Sequence, residues 1–304
     1  MTLTLNSSAL AQRTKLWAAA IALGLGSSAA LAVEGADQYP NGAENWLAGA
    51  APPPGNYFIN YAGHYSATKR DGSGNELPVK VSADFDAARF LQVTETRLLG
   101  ANWGWHVIVP VVHQTVEAPN GKVSTTGLGD ITINPLVLGW HTPTWHYGVG
   151  LDINLPTGRY DKNDGRRSIG ANYVSVEPIF AASYLDGNGW DVSGKFMLNF
   201  KGKNTDTNYQ SGTEFRLDYL VGKNVGPWGV GLSGYYVKQI SDDELGGVKV
   251  GADGNRGQVL AIGPSVKYTL SPGTLLVAQW QRETHVENRF SGDKVWLKLI
   301  MPLP

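Results

Sequence analysis

Glu214, Arg216 and Asp218 stand at alternate positions in "TEFRLDYLVG", with Phe215, Leu217 and Tyr219 alternating beside them. Successive side chains of an extended strand point to opposite faces, so two acids and a guanidinium spaced by two share one face. Asp191 and Lys195 repeat the pattern in "WDVSGKFMLNFK", opposite Trp190, Val192, Phe196, Leu198 and Phe200. Asp152 and Asn154 repeat it in "WHYGVGLDINLPTG", Asp130, Thr132 and Asn134 in "GDITINP", and Glu177 in "VSVEPIF". Charges gathered in a confined space must pair, because an unpaired ion away from water is costly. Such a face either braces an interior or narrows and polarises a pore.

Other chemistries find less support. No pair of His64, His106, His113, His141, His146 and His285 has the i, i+4 helical spacing of a zinc motif. No G-x-S-x-G elbow is present, so no catalytic residue is assigned and a non-enzyme is expected. "GLGD" and "GVGLD" do not complete G-x-G-x-x-G and sit within strand patterns. "SDDE", Ser241 to Glu244, opens a loop that either binds a divalent cation or is a solvated face. The solvated reading is adopted, with no metal and no cofactor. A net charge of −1 argues against a nucleic-acid partner.

The polar faces need elements to carry them, and the chain supplies one theme repeatedly. Alternating segments fall at 56–68, 81–98, 104–117, 128–140, 145–157, 172–184, 190–201, 213–222, 228–241, 258–270, 275–286 and 294–303. Their number is about twelve, an even count as single-chain outer-membrane barrels require. The phase slips near Ala87-Ala88, which predicts a bulge there. Connections alternate in length. Short ones lie near Gly100 and at 141–144, 186–189, 223–227 and 271–273. Long ones lie at 69–80, 118–127, 158–171, 202–212, 242–257 and 287–293. Trp103, Trp140, Trp145, Trp190 and Trp228 gather beside the short turns, where an aromatic girdle at a membrane interface belongs. In a soluble β-sandwich these tryptophans would lie mid-strand.

Pro110, Pro135, Pro178 and Pro264 interrupt good strands, although proline lacks the N–H that a ladder needs. Pro110 and Pro135 are expected at one depth on adjacent staves. They either help the sheet curve or weaken it enough to open sideways, releasing an apolar solute into the bilayer.

The first residues fix the route of export. Arg13 and Lys15 precede "LWAAAIALGLGSSAALA", which ends in an A-x-A cleavage pattern. Residues 1–32 read as a secretory signal peptide cut before Val33. Residues 33–55 form a Gly/Ala/Pro-rich leader, either a strap below the barrel or a plug inside it. Residues 56–304 form the barrel. The chain of 304 residues has no cysteine, so no disulfide framework exists.

Several blocks resemble one family over nearly the whole mature chain. They are "EGADQYPNGAENWLAGAAPPPGNYFINYAGHYSA" (34–67), "GLGDITINPLVLGWH" (127–141), "GLDINLPTGRYD" (150–161), "YQSGTEFRLDYLVGKNV" (209–225) and "VKQISDD" (237–243). In this order they resemble the SphA-like family, the MetA-pathway phenol-degradation group. The resemblance implies an outer-membrane β-barrel that admits small hydrophobic or aromatic compounds.

The sequence therefore reads as an all-β, transmembrane antiparallel barrel in a Gram-negative outer membrane. Its expected partners are outer-membrane lipid, lipopolysaccharide and small hydrophobic or aromatic solutes, taken up passively. Asp130, Thr132, Asn134, Asp152, Asn154, Glu177, Asp191, Lys195, Glu214, Arg216 and Asp218 are expected to line the lumen. Pro110 and Pro135 are the candidates for lateral opening. Two other classes stay open: an outer-membrane lipid-modifying enzyme, and a soluble secreted β-sandwich that binds a ligand.

Overall fold

A computed structural model describes residues 37–304. The signal peptide expected over 1–32 and the start of the leader lie outside the described residues. The strands are β1 (Gly55–Arg70), β2 (Glu76–Leu98), β3 (Ala101–Ala118), β4 (Gly121–Leu128), β5 (Thr132–His141), β6 (Trp145–Asn154), β7 (Ser175–Leu185), β8 (Trp190–Lys201), β9 (Lys203–Asn204), β10 (Tyr209–Gln210), β11 (Glu214–Val225), β12 (Trp228–Gln239), β13 (Glu244–Leu245), β14 (Val248–Lys249), β15 (Gln258–Ser271), β16 (Thr274–Glu287) and β17 (Phe290–Leu303). Among the described residues one 3-10 turn is present, over Gly165–Arg167.

Every long strand pairs antiparallel with its sequence neighbours, and β1 pairs with β17 from Asn56↔Leu303 to Lys69↔Phe290. That pairing closes the sheet, the arrangement that membrane-spanning β structure requires, and leaves an unpaired edge only along β4 at the long-loop end. β4 and β5 lie successively along the flank of β3, at Val111↔Leu128 and Ile108↔Thr132, and form one stave. The described residues thus build a closed antiparallel barrel of twelve staves. The short strands β9, β10, β13 and β14 form a separate small sheet over the end that carries the long connections.

The two faces separate as period two requires. On β8, Asp191, Ser193, Lys195, Asn199 and Lys201 are buried inward, while Trp190, Val192, Phe196, Leu198 and Phe200 are exposed outward. Outward apolar residues continue around the wall through Val176, Phe180, Leu232, Ile262, Val295 and Leu297. Trp103, Trp140, Trp145, Trp190 and Trp228 all occupy strand positions beside the short turns.

The bulge expected at Ala87-Ala88 is not formed. β2 keeps register with β1 from Val93 to Lys80, and its shift against β3 falls between Val93 and Arg97. The apparent slip is a reversal of polarity. Toward the long-loop end β2 aims Val81, Ala83, Phe85 and Ala87 inward and leaves Ser82, Asp84 and Asp86 exposed outward. An outward face that rises beyond the lipid has no reason to be apolar.

Three expected long loops are shorter for the same reason. The connection at 69–80 contracts to 71–75, that at 118–127 to Pro119-Asn120, and that at 287–293 to Asn288-Arg289. Hydrogen-bonded pairing continues past the bilayer, so the strands run on as ribbons.

The prolines are not equivalent. Pro178 and Pro264 each leave rungs unmade without changing register, between Val176↔Phe200 and Ile179↔Met197, and between Ile262↔Arg282 and Ser265↔Gln279. Pro135 lies in a one-residue shift between Ile133 and Val137. Pro110 lies where the neighbouring stave changes from β4 to β5. His106↔Asn134 and Ile108↔Thr132 set Pro135 nearer the short turns than Pro110, so the two are not level. The extra residue in the β5 bulge and the stagger of the staves separate them.

Candidate functional site

The lumen is built from alternate residues of every stave, and the chain from Asp37 to Pro54 runs among them. Near the long-loop end, Arg289 pairs with Asp37, and Arg216 lies 3.3 Å from the same carboxylate. Gln38 donates to Asp130 at 2.7 Å and accepts from Ser175 at 2.7 Å. Midway, Asp218 accepts from the Tyr39 hydroxyl at 2.7 Å and from the backbone N–H groups of Gly42 and Glu44. Glu44 pairs with Arg89 at 2.7 Å and with Lys298 at 3.3 Å. Farther down, the Trp46 indole donates to Ser265 at 2.9 Å, Leu47 N–H to Asp191 and Gly49 N–H to Ser183.

All eleven residues expected to line the lumen are buried on the inner face. They do not form one network. Glu214 pairs with Arg216 at 2.6 Å, Lys201 at 2.9 Å and Arg289 at 2.8 Å, and Glu177 lies 3.5 Å from Arg216. Asn199 also donates to Glu177 at 3.0 Å. Asp218 belongs to the leader instead. Asp191 accepts from Ser193 at 2.5 Å at the short-turn end, and Lys195 stacks its ammonium 4.3 Å from the Tyr39 ring. Asn134 donates to Asp152 at 2.7 Å, Asp152 faces His106 at 3.1 Å, and Thr132 donates to Asn154 at 2.6 Å. Asp130 accepts three donors, from Gln38, Gly158 N–H and Ala171 N–H, and so ties the leader to the loop after β6.

Several residues completing these clusters were not singled out in the sequence. Lys201 shares the polar phase of Lys195, and Lys294 and Lys298 flank Trp296 in the same way, so period two alone could have marked them. Asp37, Glu44 and Arg289 carry no such signal, because they lie on the leader and in a turn.

Between the leader and the wall lies a cavity of about 310 Å³ toward the long-loop end. Phe85, Ala87, Ile108, Pro110 and Val112 supply its β2–β3 side, and Tyr61, Tyr65, Phe290 and Trp296 its β1–β17 side. Phe85 and Trp296 meet edge to face at 4.7 Å. Gly129 closes against Pro110: a Cβ on Gly129 would stand 3.0 Å from the proline Cγ. Confined volume, apolar rings and a few placed polar groups together suit a small molecule with an aromatic body.

Among solved structures, the COG4313 outer membrane channel from Pseudomonas putida F1 resembles this fold with a TM-score of 0.72. The match has 16% identity and covers 83% of this chain and 97% of that one. The beta domain of the Bordetella autotransporter BrkA matches with a TM-score of 0.51 at 11% identity, over 83% of this chain and 100% of that one. No curated protein matches the chain. A family model described as "Putative MetA-pathway of phenol degradation" matches residues 66–299, which include the inner wall from β2 to β17 and most of the cavity lining, and the chain belongs to that family.

Proposed function

We propose that the protein is an outer-membrane channel for passive uptake of small hydrophobic or aromatic compounds. The observation that carries this reading is the cavity between leader and wall, apolar on its β2–β3 side, inside a closed barrel with an apolar outer belt. Lipid covers that belt, and the tryptophans beside the short turns mark the periplasmic interface. Lipopolysaccharide meets the polar ribbons at the other end. The likeness to a solved outer-membrane channel supports the architecture, and family membership supports the link to aromatic catabolism. The lumen-facing charges fill and polarise the interior as a structural and selective lining, and no catalytic step is assigned to them.

The leader, residues 33–55, acts as a plug, and residues 1–32 are removed on export. N-terminal sequencing of protein purified from outer membranes is expected to begin at Val33. Pro110 and the break at Gly129–Ile131 form the lateral-opening candidate, since both border the cavity; Pro135 contributes at a lower level. Liposomes containing the protein are expected to take up phenol faster than empty liposomes. Equal rates would overturn the channel reading.

A further inference from the structure

Hydrogen bonds hold the leader to the wall along two sides. Its backbone N–H groups bond one way: Gly42 and Glu44 donate to Asp218 on β11, Leu47 to Asp191 on β8 and Gly49 to Ser183 on β7. Its carbonyls bond another way: Asn41 and Ala43 accept from Lys294 and Lys298 on β17, and Gly42 from Gln279 on β16. Among the described residues, no backbone group of 39–50 bonds to β2 or β3. The polar contact made there is the side-chain pair of Glu44 with Arg89 at 2.7 Å.

The open space follows this unbonded flank. The cavity of about 310 Å³ lies along its upper part, where the inner wall runs Phe85↔Val112 and Ala87↔Pro110. The next rows toward the short turns are Arg89↔Ile108 and Leu91↔His106. There a second pocket, of about 20 Å³, lies among Glu44, Arg89, His106, Asp152 and Lys195. Tyr39, Pro40, Tyr61, Ala87 and Ile108 line both spaces, so one neck joins them. Ala87, Ile108 and Pro40 bring no hydrogen-bonding side-chain group to the neck, so a ring that parts them breaks no hydrogen bond between them. Parting the leader from β7–β11 or from β16–β17 would break a row of largely buried bonds instead.

The lower pocket has room for one group the size of a water. His106 Nδ1 accepts from Arg89 at 2.9 Å, which places the ring proton on Nε2. That Nε2 stands 3.1 Å from Asp152 but outside hydrogen-bonding alignment, and the Arg89 Nε has no partner. Two buried donors without an aligned acceptor mark a place that receives a polar group rather than packed interior. We propose that a solute passes the leader on this flank, through the neck that Ala87 and Ile108 form against Pro40, into the polar pocket at Arg89 and His106. This rests on the channel reading above and adds a route through the lumen to it.

The chain has no cysteine, so a single introduced thiol reports alone. Ala87→Cys places one in the neck. Ser193→Cys places one behind the leader's bonded side, where Ser193 meets Ser183 and Ser183 accepts from Gly49 N–H. The two positions are 7% and 4% exposed, so burial alone predicts similar reactivity. The probe is benzyl methanethiosulfonate, applied to the full chain in liposomes. Ala87→Cys is expected to react many-fold faster than Ser193→Cys. Its modification is expected to abolish phenol uptake, and a reductant to restore it. Equal rates at the two thiols, or phenol uptake unchanged after complete modification at 87, overturns the proposal. Should Ala87→Cys fail to show the heat-modifiable migration of a folded barrel, Ile108→Cys sets the thiol on the facing strand and is read by the same two results. Liposomes that take up phenol equally before and after modification keep the channel and lose the route. If the unmodified protein takes up none, the channel reading falls and the route falls with it.

Discussion

Trp46 packs onto Gly222 so closely that a Cβ on Gly222 would stand 2.3 Å from the indole Cη2. The indole is otherwise held by its N–H to Ser265 and by Lys267, whose ammonium lies 4.7 Å from the ring centre. Glycine is therefore required on β11 where Trp46 presses on the wall, and Gly229 on β12 meets the same ring edge, a Cβ there standing 2.9 Å from it. Gly222→Ala is expected to push Trp46 off its seat, costing roughly 1–3 kcal/mol of overpacking. Single-channel conductance in planar bilayers should rise as the leader loosens, while the barrel still shows heat-modifiable migration. Unchanged conductance would show that the leader does not obstruct the passage.

Asp218 tests the same contact through polarity. It accepts from Tyr39, Gly42 N–H and Glu44 N–H, so Asp218→Ala leaves two buried donors and one half-buried donor without their acceptor. Each loss costs about 1–3 kcal/mol, enough together to release this part of the leader. Conductance should exceed that of Gly222→Ala, and Tyr39→Phe, which removes one donor and leaves two bonds intact, should change it least.

Much of this was legible in the sequence because period two is a strong local signal. Each inward residue named on β6, β7, β8 and β11 is buried, and alternation alone identified the face. Pairing beyond the neighbouring strand was not legible. Glu214 meets Arg289, and Asp218 meets Tyr39, through closure of the barrel and threading of the leader, neither of which is written in a local pattern. Alternation also misled where its assumption failed. On β2 the apolar set turns inward above the lipid, so an unbroken register looked like a slipped one.

Pro110 borders the cavity, whereas Pro135 lies in the β5 bulge nearer the short turns. Restoring an N–H at 110 beside the break at Gly129–Ile131 would stiffen the wall where the cavity meets it. Pro110→Val should slow liposome uptake of toluene by several-fold, with Pro135→Val contributing less and the double variant close to Pro110→Val. Conductance to small ions, which does not require a sideways exit, should be unaltered. Toluene uptake unchanged in the double variant would refute the lateral route.

The loop after β6 supplies Ile169 and Ala171 to the cavity, and its 3-10 turn depends on Asp164. The Arg166 side chain donates to Asp164 at 2.8 Å, and this bond, helped by the Arg166 backbone N–H, holds the Asp164 carboxyl below the ordinary aspartate value. A carboxyl whose pKa is lower folded than unfolded contributes order above the unfolded value and loses it as pH falls through the folded one. The loop should therefore keep its order from neutral pH down through the ordinary aspartate range, about pH 4, and loosen only below it. A spin label on Lys162→Cys reports this directly. Its mobility should stay constant from neutral pH to about pH 4 and rise at lower pH, whereas the same label in Asp164→Asn should be mobile throughout. A label that already loosens on approaching pH 4 would mean that the Arg166 bond does not order the loop.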